Sequence, residues 1–171
     1  MTGRARDRDP AGRPRNARPR DAFGRPLPRG EAGEQRIPDD LAVPPAEALS
    51  MAQGLLDSGR PFHAHEVLEA SWKAAPAEER ELWRGLAQIA VGLTHAQRGN
   101  ATGATALLRR GGRRVGDYAG AAPHGIDAGG IARQAAGLAD RIEAEGLAAA
   151  TRDGASFRLT AAGAAESHRA G

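Results

Sequence analysis

A chain of 171 residues suits one domain with some tail, and the absence of cysteine removes disulfides and thiolate metal sites. No apolar run approaches the roughly 20 residues of a membrane span, and no apolar stretch follows the N-terminal arginines as in a secretory signal, so a cytoplasmic protein is the default. The net charge of +3 is unevenly spread: the first 30 residues hold nine Arg against three Asp, which leaves 15 basic and 18 acidic residues for the remainder.

Residues 1–45 are rich in Arg, Pro and Gly and have no periodic apolar pattern, so they read as a disordered arm. The arm contains a repeat. Arg8-Asp9-Pro10-Ala11-Gly12-Arg13-Pro14 recurs as Arg20-Asp21-Ala22-Phe23-Gly24-Arg25-Pro26, and the shared R-D-x-x-G-R-P reads as a turn in which Asp bonds nearby backbone and Gly takes φ > 0. A helical domain follows over residues 46–145. Its first helix covers 46–57, with Leu49, Ala52, Leu55 and Leu56 on one face. A second starts at Pro61, where the missing N–H is no loss, and ends near Lys73 before Ala74-Ala75-Pro76.

The third helix is expected over 77–98, with Leu82, Leu86, Ile89 and Leu93 as its core stripe. Gly85, Gly92 and Ala96 form a second stripe, a groove into which the second helix is expected to pack. Gly99 and Asn100 make a tight stop and N-cap. The fourth helix covers 101 to about 115, a loop with His124-Gly125-Ile126-Asp127 follows, and a fifth helix runs over 131–145 with Ile131, Ala135, Leu138 and Ile142 in register. Residues 146–171 read as a low-complexity tail in which Phe157-Arg158-Leu159 is a weak strand signal. The expected fold is all-α, an antiparallel bundle of about five helices.

The chemistry concentrates in Phe62-His63-Ala64-His65-Glu66-Val67-Leu68-Glu69-Ala70-Ser71-Trp72. At 100° per residue, Phe62, His65, Leu68, Glu69 and Trp72 share one face, which is expected to meet the core, while His63 and Val67 point elsewhere. Arg84, Gln88 and His95 lie along one edge of the third helix and are the expected partners of His65 and Glu69.

Two readings of that cluster follow. In the first, His65 and Glu69, one turn apart with Cβ atoms about 5–6 Å from each other, and His95 from the facing helix are ligands to a divalent metal, most plausibly zinc. Three ligands leave an open position for water; Glu66 is then the general base, and Gln88 or Arg84 orients substrate or Glu69. In the second, Glu69 pairs with Arg84, His65 bonds Glu69 or Gln88, His95 bonds a backbone carbonyl, and the cluster is a buried polar network that fixes helix register. A third role, separate from the cluster, is a basic arm that touches nucleic acid phosphates or a partner protein. His124 and His168 read as solvated, and Glu78 and Glu79 as ordinary first-turn acids.

Pro61 through Glu69, then Trp72, Gly85-Leu86-Ala87-Gln88-Ile89-Ala90, His95, Gly99-Asn100-Ala101-Thr102-Gly103-Ala104 and the His124–Asp127 block together resemble the small helical family called domain of unknown function 309, in its actinobacterial form. The resemblance covers residues 60–143. It implies a small all-helical domain and, from the label the family carries, a metal-dependent hydrolase with a small-molecule substrate.

Overall fold

The protein is described by a computed structural model over residues 19–21, 24–28, 32–33, 37–38, 40–152 and 157–161. Most of the expected disordered arm, the first copy of the repeat and His168 lie outside these residues. Six helices occur among the described residues: α1 (Pro45–Asp57), α2 (Pro61–Ala74), α3 (Arg80–Gln97), α4 (Ala101–Gly116), α5 (Ala128–Glu145) and the single turn α6 (Leu147–Ala150). No strand is present among them, only isolated bridges between Arg20 and Pro26 and between Ile126 and Thr160. No described helix is long and apolar enough to cross a membrane.

Local chemistry sets the ends. Asn100 caps α4 by accepting from the Gly103 N–H at 2.9 Å, and Gly99 turns the chain at φ +79°. The helix α5 starts three residues earlier than its apolar stripe suggests, because Asp127 accepts from the Gly130 N–H at 3.0 Å and caps it. The helix α3 starts three residues later than expected, since residues 77–79 form a turn.

Each helix packs on the one before it and the one after it, as short joints require. The expected stripes form the core: Leu82, Leu86 and Ile89 of α3, Ala104, Leu108 and Val115 of α4, and Ile131, Ala135, Leu138 and Ile142 of α5 are all buried.

Two expectations are overturned. The glycine groove of α3 receives α4, not α2. A Cβ at Gly111 would stand 2.7 Å from the Gly85 carbonyl oxygen, and one at Gly92 would stand 3.1 Å from the Leu108 backbone nitrogen. Backbones approach this closely only where side chains are absent, and the Gly99–Asn100 joint delivers α4 directly into the groove. The phase of α2 also differs. Ala64, Val67 and Leu68 form its buried face and His63 is buried with them, whereas Phe62, His65, Glu69 and Trp72 lie half-buried along its border. Small and branched apolar residues won the core position over the larger amphipathic ones.

The C-terminal segment departs from a frayed tail. Phe157 and Leu159 are buried, and the chain between them is tied by side-chain amides. Gln53 donates to the Phe157 carbonyl and accepts from the Leu159 N–H, while Gln134 donates to the Arg158 carbonyl and accepts from the Arg158 N–H. Two glutamines thus supply what a neighbouring strand would.

The α3–α4 contact makes a stability prediction. Gly111→Ala gains up to about 1 kcal/mol of helix propensity but loses about 1–3 kcal/mol to overpacking against backbone that cannot yield, so it is expected to destabilise. Gly137→Ala in α5, where an added Cβ meets nothing within 4 Å, is expected to stabilise by about 0.5–1 kcal/mol. Urea unfolding of both variants is the check; equal effects would mean that α3 and α4 are not in backbone contact.

Candidate functional site

The seam between α2 and α3 opens into a recess of about 240 Å³. His65, Glu69 and Trp72 line it from α2, Arg84 and Gln88 from α3, and Leu107 from α4. A larger cavity of about 360 Å³ lies between Leu56, Leu93, Leu138 and Phe157, but it contains none of the predicted site residues.

On α2, His65 Nε2 stands 3.3 Å from one Glu69 oxygen, and Lys73 Nζ stands 3.2 Å from the other. This row climbs one helix face at successive turns. Glu69 is 35% exposed, so it is not the interior carboxylate expected from the sequence, and its pairing with Lys73 contributes at most about 1 kcal/mol. The Glu69–Arg84 pair expected in a closed network does not form. Arg84 instead lies over the Trp72 ring at 5.6 Å and stands 3.5 Å from Glu81, which also binds Arg114.

The remaining predicted residues face elsewhere. His95 is absent from the recess wall, and its Nδ1 lies 3.1 Å from the Asn100 amide nitrogen. Glu66 accepts from the Ile37 N–H at 3.4 Å, toward the N-terminal arm. Among the described residues, no group of three or more His, Cys, Asp or Glu is placed to hold a metal ion. The structure therefore brings together His65, Glu69, Arg84 and Gln88, and leaves Glu66 and His95 outside.

The protonation of His65 follows from its surroundings. Burial holds its imidazole below the ordinary value; the Glu69 carboxylate pulls the other way without reversing the shift, and Lys73 adds to the lowering. The ring is therefore neutral at pH 7. A carboxylate only accepts, so a ring proton on Nε2, the nitrogen that faces Glu69, is the favourable tautomer, and it leaves Nδ1 as an acceptor. That Nδ1 is buried and has no hydrogen-bond partner. The Gln88 side-chain oxygen is also buried without a partner.

A second cluster was not visible in the sequence. His124, expected to be solvated, places Nε2 at 3.2 and 3.0 Å from the two oxygens of Glu79. The buried Trp83 donates its indole N–H to Glu79 at 3.2 Å. Burial would raise the Glu79 carboxyl, but the bonds from His124 and Trp83 outweigh it and the net shift is downward. The loop before α5 is thus pinned to the start of α3, with His124 at φ +61°. The block His124-Gly125-Ile126-Asp127 was the available signal: its His ties down the loop and its Asp caps α5.

Residues 49–107 match the family described as Domain of unknown function (DUF309). The match covers about a third of the chain. It runs from α1 into α4 and includes every predicted site residue, while the arm, α5 and the His124 loop lie beyond it. The chain is also 44% identical over 48 residues to an uncharacterized protein, YpuF, of Bacillus subtilis (strain 168), a match that spans 28% of each chain. No solved structure matches at a comparable level.

The lowered His65 value has a measurable consequence. In the unfolded chain the ring takes up a proton near its ordinary value of about 6.5, whereas the folded state resists it. Stability is therefore complete above that pH, declines as pH falls through it, and levels off below the folded value. His65→Gln is expected to remove this part of the pH dependence, read as the melting temperature between pH 8 and 5. An unchanged slope would show that His65 titrates alike in both states.

Proposed function

We propose that this helical domain is a binding domain and that the α2–α3 recess receives a small group bearing an N–H or O–H donor. The observation that supports it is the pair of buried acceptors without a partner, His65 Nδ1 and Gln88 Oε1, on two residues that line the recess. Each buried unsatisfied polar group costs roughly 1–3 kcal/mol, and turning either side chain toward a donor in the recess recovers part of that. Trp72 offers a flat apolar wall for the body of such a group and Arg84 a cation at its side. A volume of about 240 Å³ suits a small molecule or a single inserted side chain.

A metal-dependent hydrolase is the second reading, and one feature favours it. His65 and Glu69 stand one helical turn apart with Nε2 3.3 Å from a Glu69 oxygen, so the two side chains can converge on one ion. The reading assigns His65, Glu69 and His95 as ligands and Glu66 as base. It requires His95 to leave Asn100 and Glu66 to leave Ile37, and the residues as placed do not form the three-ligand set it needs. Bound there, zinc would supply an activated water.

Two measurements separate the readings. For a binding domain, the purified protein carries no stoichiometric metal, zinc leaves its melting temperature unchanged, and Gln88→Met raises stability by about 1 kcal/mol by removing an unpaired acceptor. About one equivalent of zinc, lost in His65→Ala, would replace the binding reading with the metal one. A loss of stability in Gln88→Met would mean that the glutamine is already satisfied within the fold, and would remove the support for a ligand.

A further inference from the structure

The second copy of the arm repeat has a defined place on the domain. Its turn closes as the sequence pattern suggests: the Gly24 N–H donates to the Asp21 carbonyl at 2.9 Å, the Arg25 N–H to Asp21 Oδ1 at 2.8 Å, and the Asp21 N–H to the Arg25 carbonyl at 3.0 Å. Arg20 donates to the Gly24 carbonyl and pairs with Pro26 across the turn. Gly24, at φ +72°, is buried against the ring of Phe62 so closely that an added Cβ would fall on the ring. The Arg20 guanidinium lies 5.2 Å from the centre of that ring, and Arg98 of the α3 end lies 5.9 Å from it.

Every arm residue in that account belongs to the repeated R-D-x-x-G-R-P set. The first copy carries the same five residues at the same spacing, in Arg8, Asp9, Gly12, Arg13 and Pro14. Phe62 and Arg98 supply one slot per chain, so the arm holds one ligand more than the domain has sites.

We propose that the Phe62–Arg98 slot is a recognition site for the R-D-x-x-G-R-P turn, and that the first copy, residues 8–14, occupies the slot of its own chain in exchange with the second. The tether allows it. From the end of the motif to Ile37, which Glu66 holds at the domain, the chain is 11 residues for the second copy (37 − 26) and 23 for the first (37 − 14), which lowers the effective concentration of the first by about threefold. With equal affinity, the first copy holds the slot about one quarter of the time. The slot also borders the recess, since the Phe62 and His65 ring centres are 5.9 Å apart.

The lack of cysteine permits a direct test on the full chain. A nitroxide on Ala5→Cys, three residues before the first copy, reports that copy's approach through relaxation enhancement at the Phe62 ring and the Arg98 amide. In the otherwise unchanged chain, enhancement is expected at about one quarter of its maximum. Gly24→Ala, which evicts the second copy, is expected to raise it about fourfold, and Gly12→Ala added to Gly24→Ala to abolish it. Unchanged α4 and α5 signals confirm that the domain is intact in each variant. No rise with Gly24→Ala, or enhancement that survives the double substitution, overturns the proposal. So does enhancement that appears equally when spin-labelled chains are mixed with isotope-labelled, unmodified ones, because the copy would then be binding between chains.

Discussion

Backbone contact between α3 and α4 at Gly85, Gly92 and Gly111 fixes the order of the bundle. Once α4 lies in the glycine groove, α2 must use another face of α3. It seats its own narrow stripe, Ala64, Val67 and Leu68, toward the core, and the larger residues of the same helix are left at the seam. The recess is the gap at that seam, walled by side chains too polar or too large to enter the core and lined also by Leu107 of α4.

That origin explains the chemistry of the recess. Its charged groups settle their charge within their own helices: Glu69 with His65 and Lys73 on α2, Arg84 with Glu81 on α3. No ion pair crosses the seam among the described recess residues, and the buried acceptors left without a partner there are on an imidazole and an amide. A cluster that served only to fix register would be expected to close these bonds across the helices. The row of His65, Glu69 and Lys73 on α2 adds little stability and orients His65.

Much of the fold was legible in the sequence because the signals were local. The α4 cap, the Gly99 stop, the α5 stripe and the turn at Asp21–Gly24 each depend on a few adjacent residues whose chemistry has one outcome. What was misread depended on partners. Periodicity marked the small-residue groove of α3 but could not say which helix fills it, and it placed the α2 stripe on its aromatic residues instead of on Ala64 and Val67. His65, Glu69, Arg84 and Gln88 were found because one turn and one seam bring them together, whereas the role of His95 was decided by Asn100, five residues away. The Glu79–His124 contact spans 45 residues and leaves no periodic trace. The amide ties of Gln53 and Gln134 to residues 157–159 are equally long-range, and only the burial of Phe157 and Leu159 explains why the segment is held.

The central claim is that His65 is a neutral ring with its proton on Nε2 and an unused acceptor at Nδ1. Long-range proton–nitrogen correlation on the imidazoles of the isotope-labelled protein reads this directly, with His65→Gln to assign the signals. The expected result at pH 6.5 is one protonated nitrogen, Nε2, and one unprotonated nitrogen, Nδ1, for His65. Two protonated nitrogens at that pH, or a proton on Nδ1, would contradict the account of the recess.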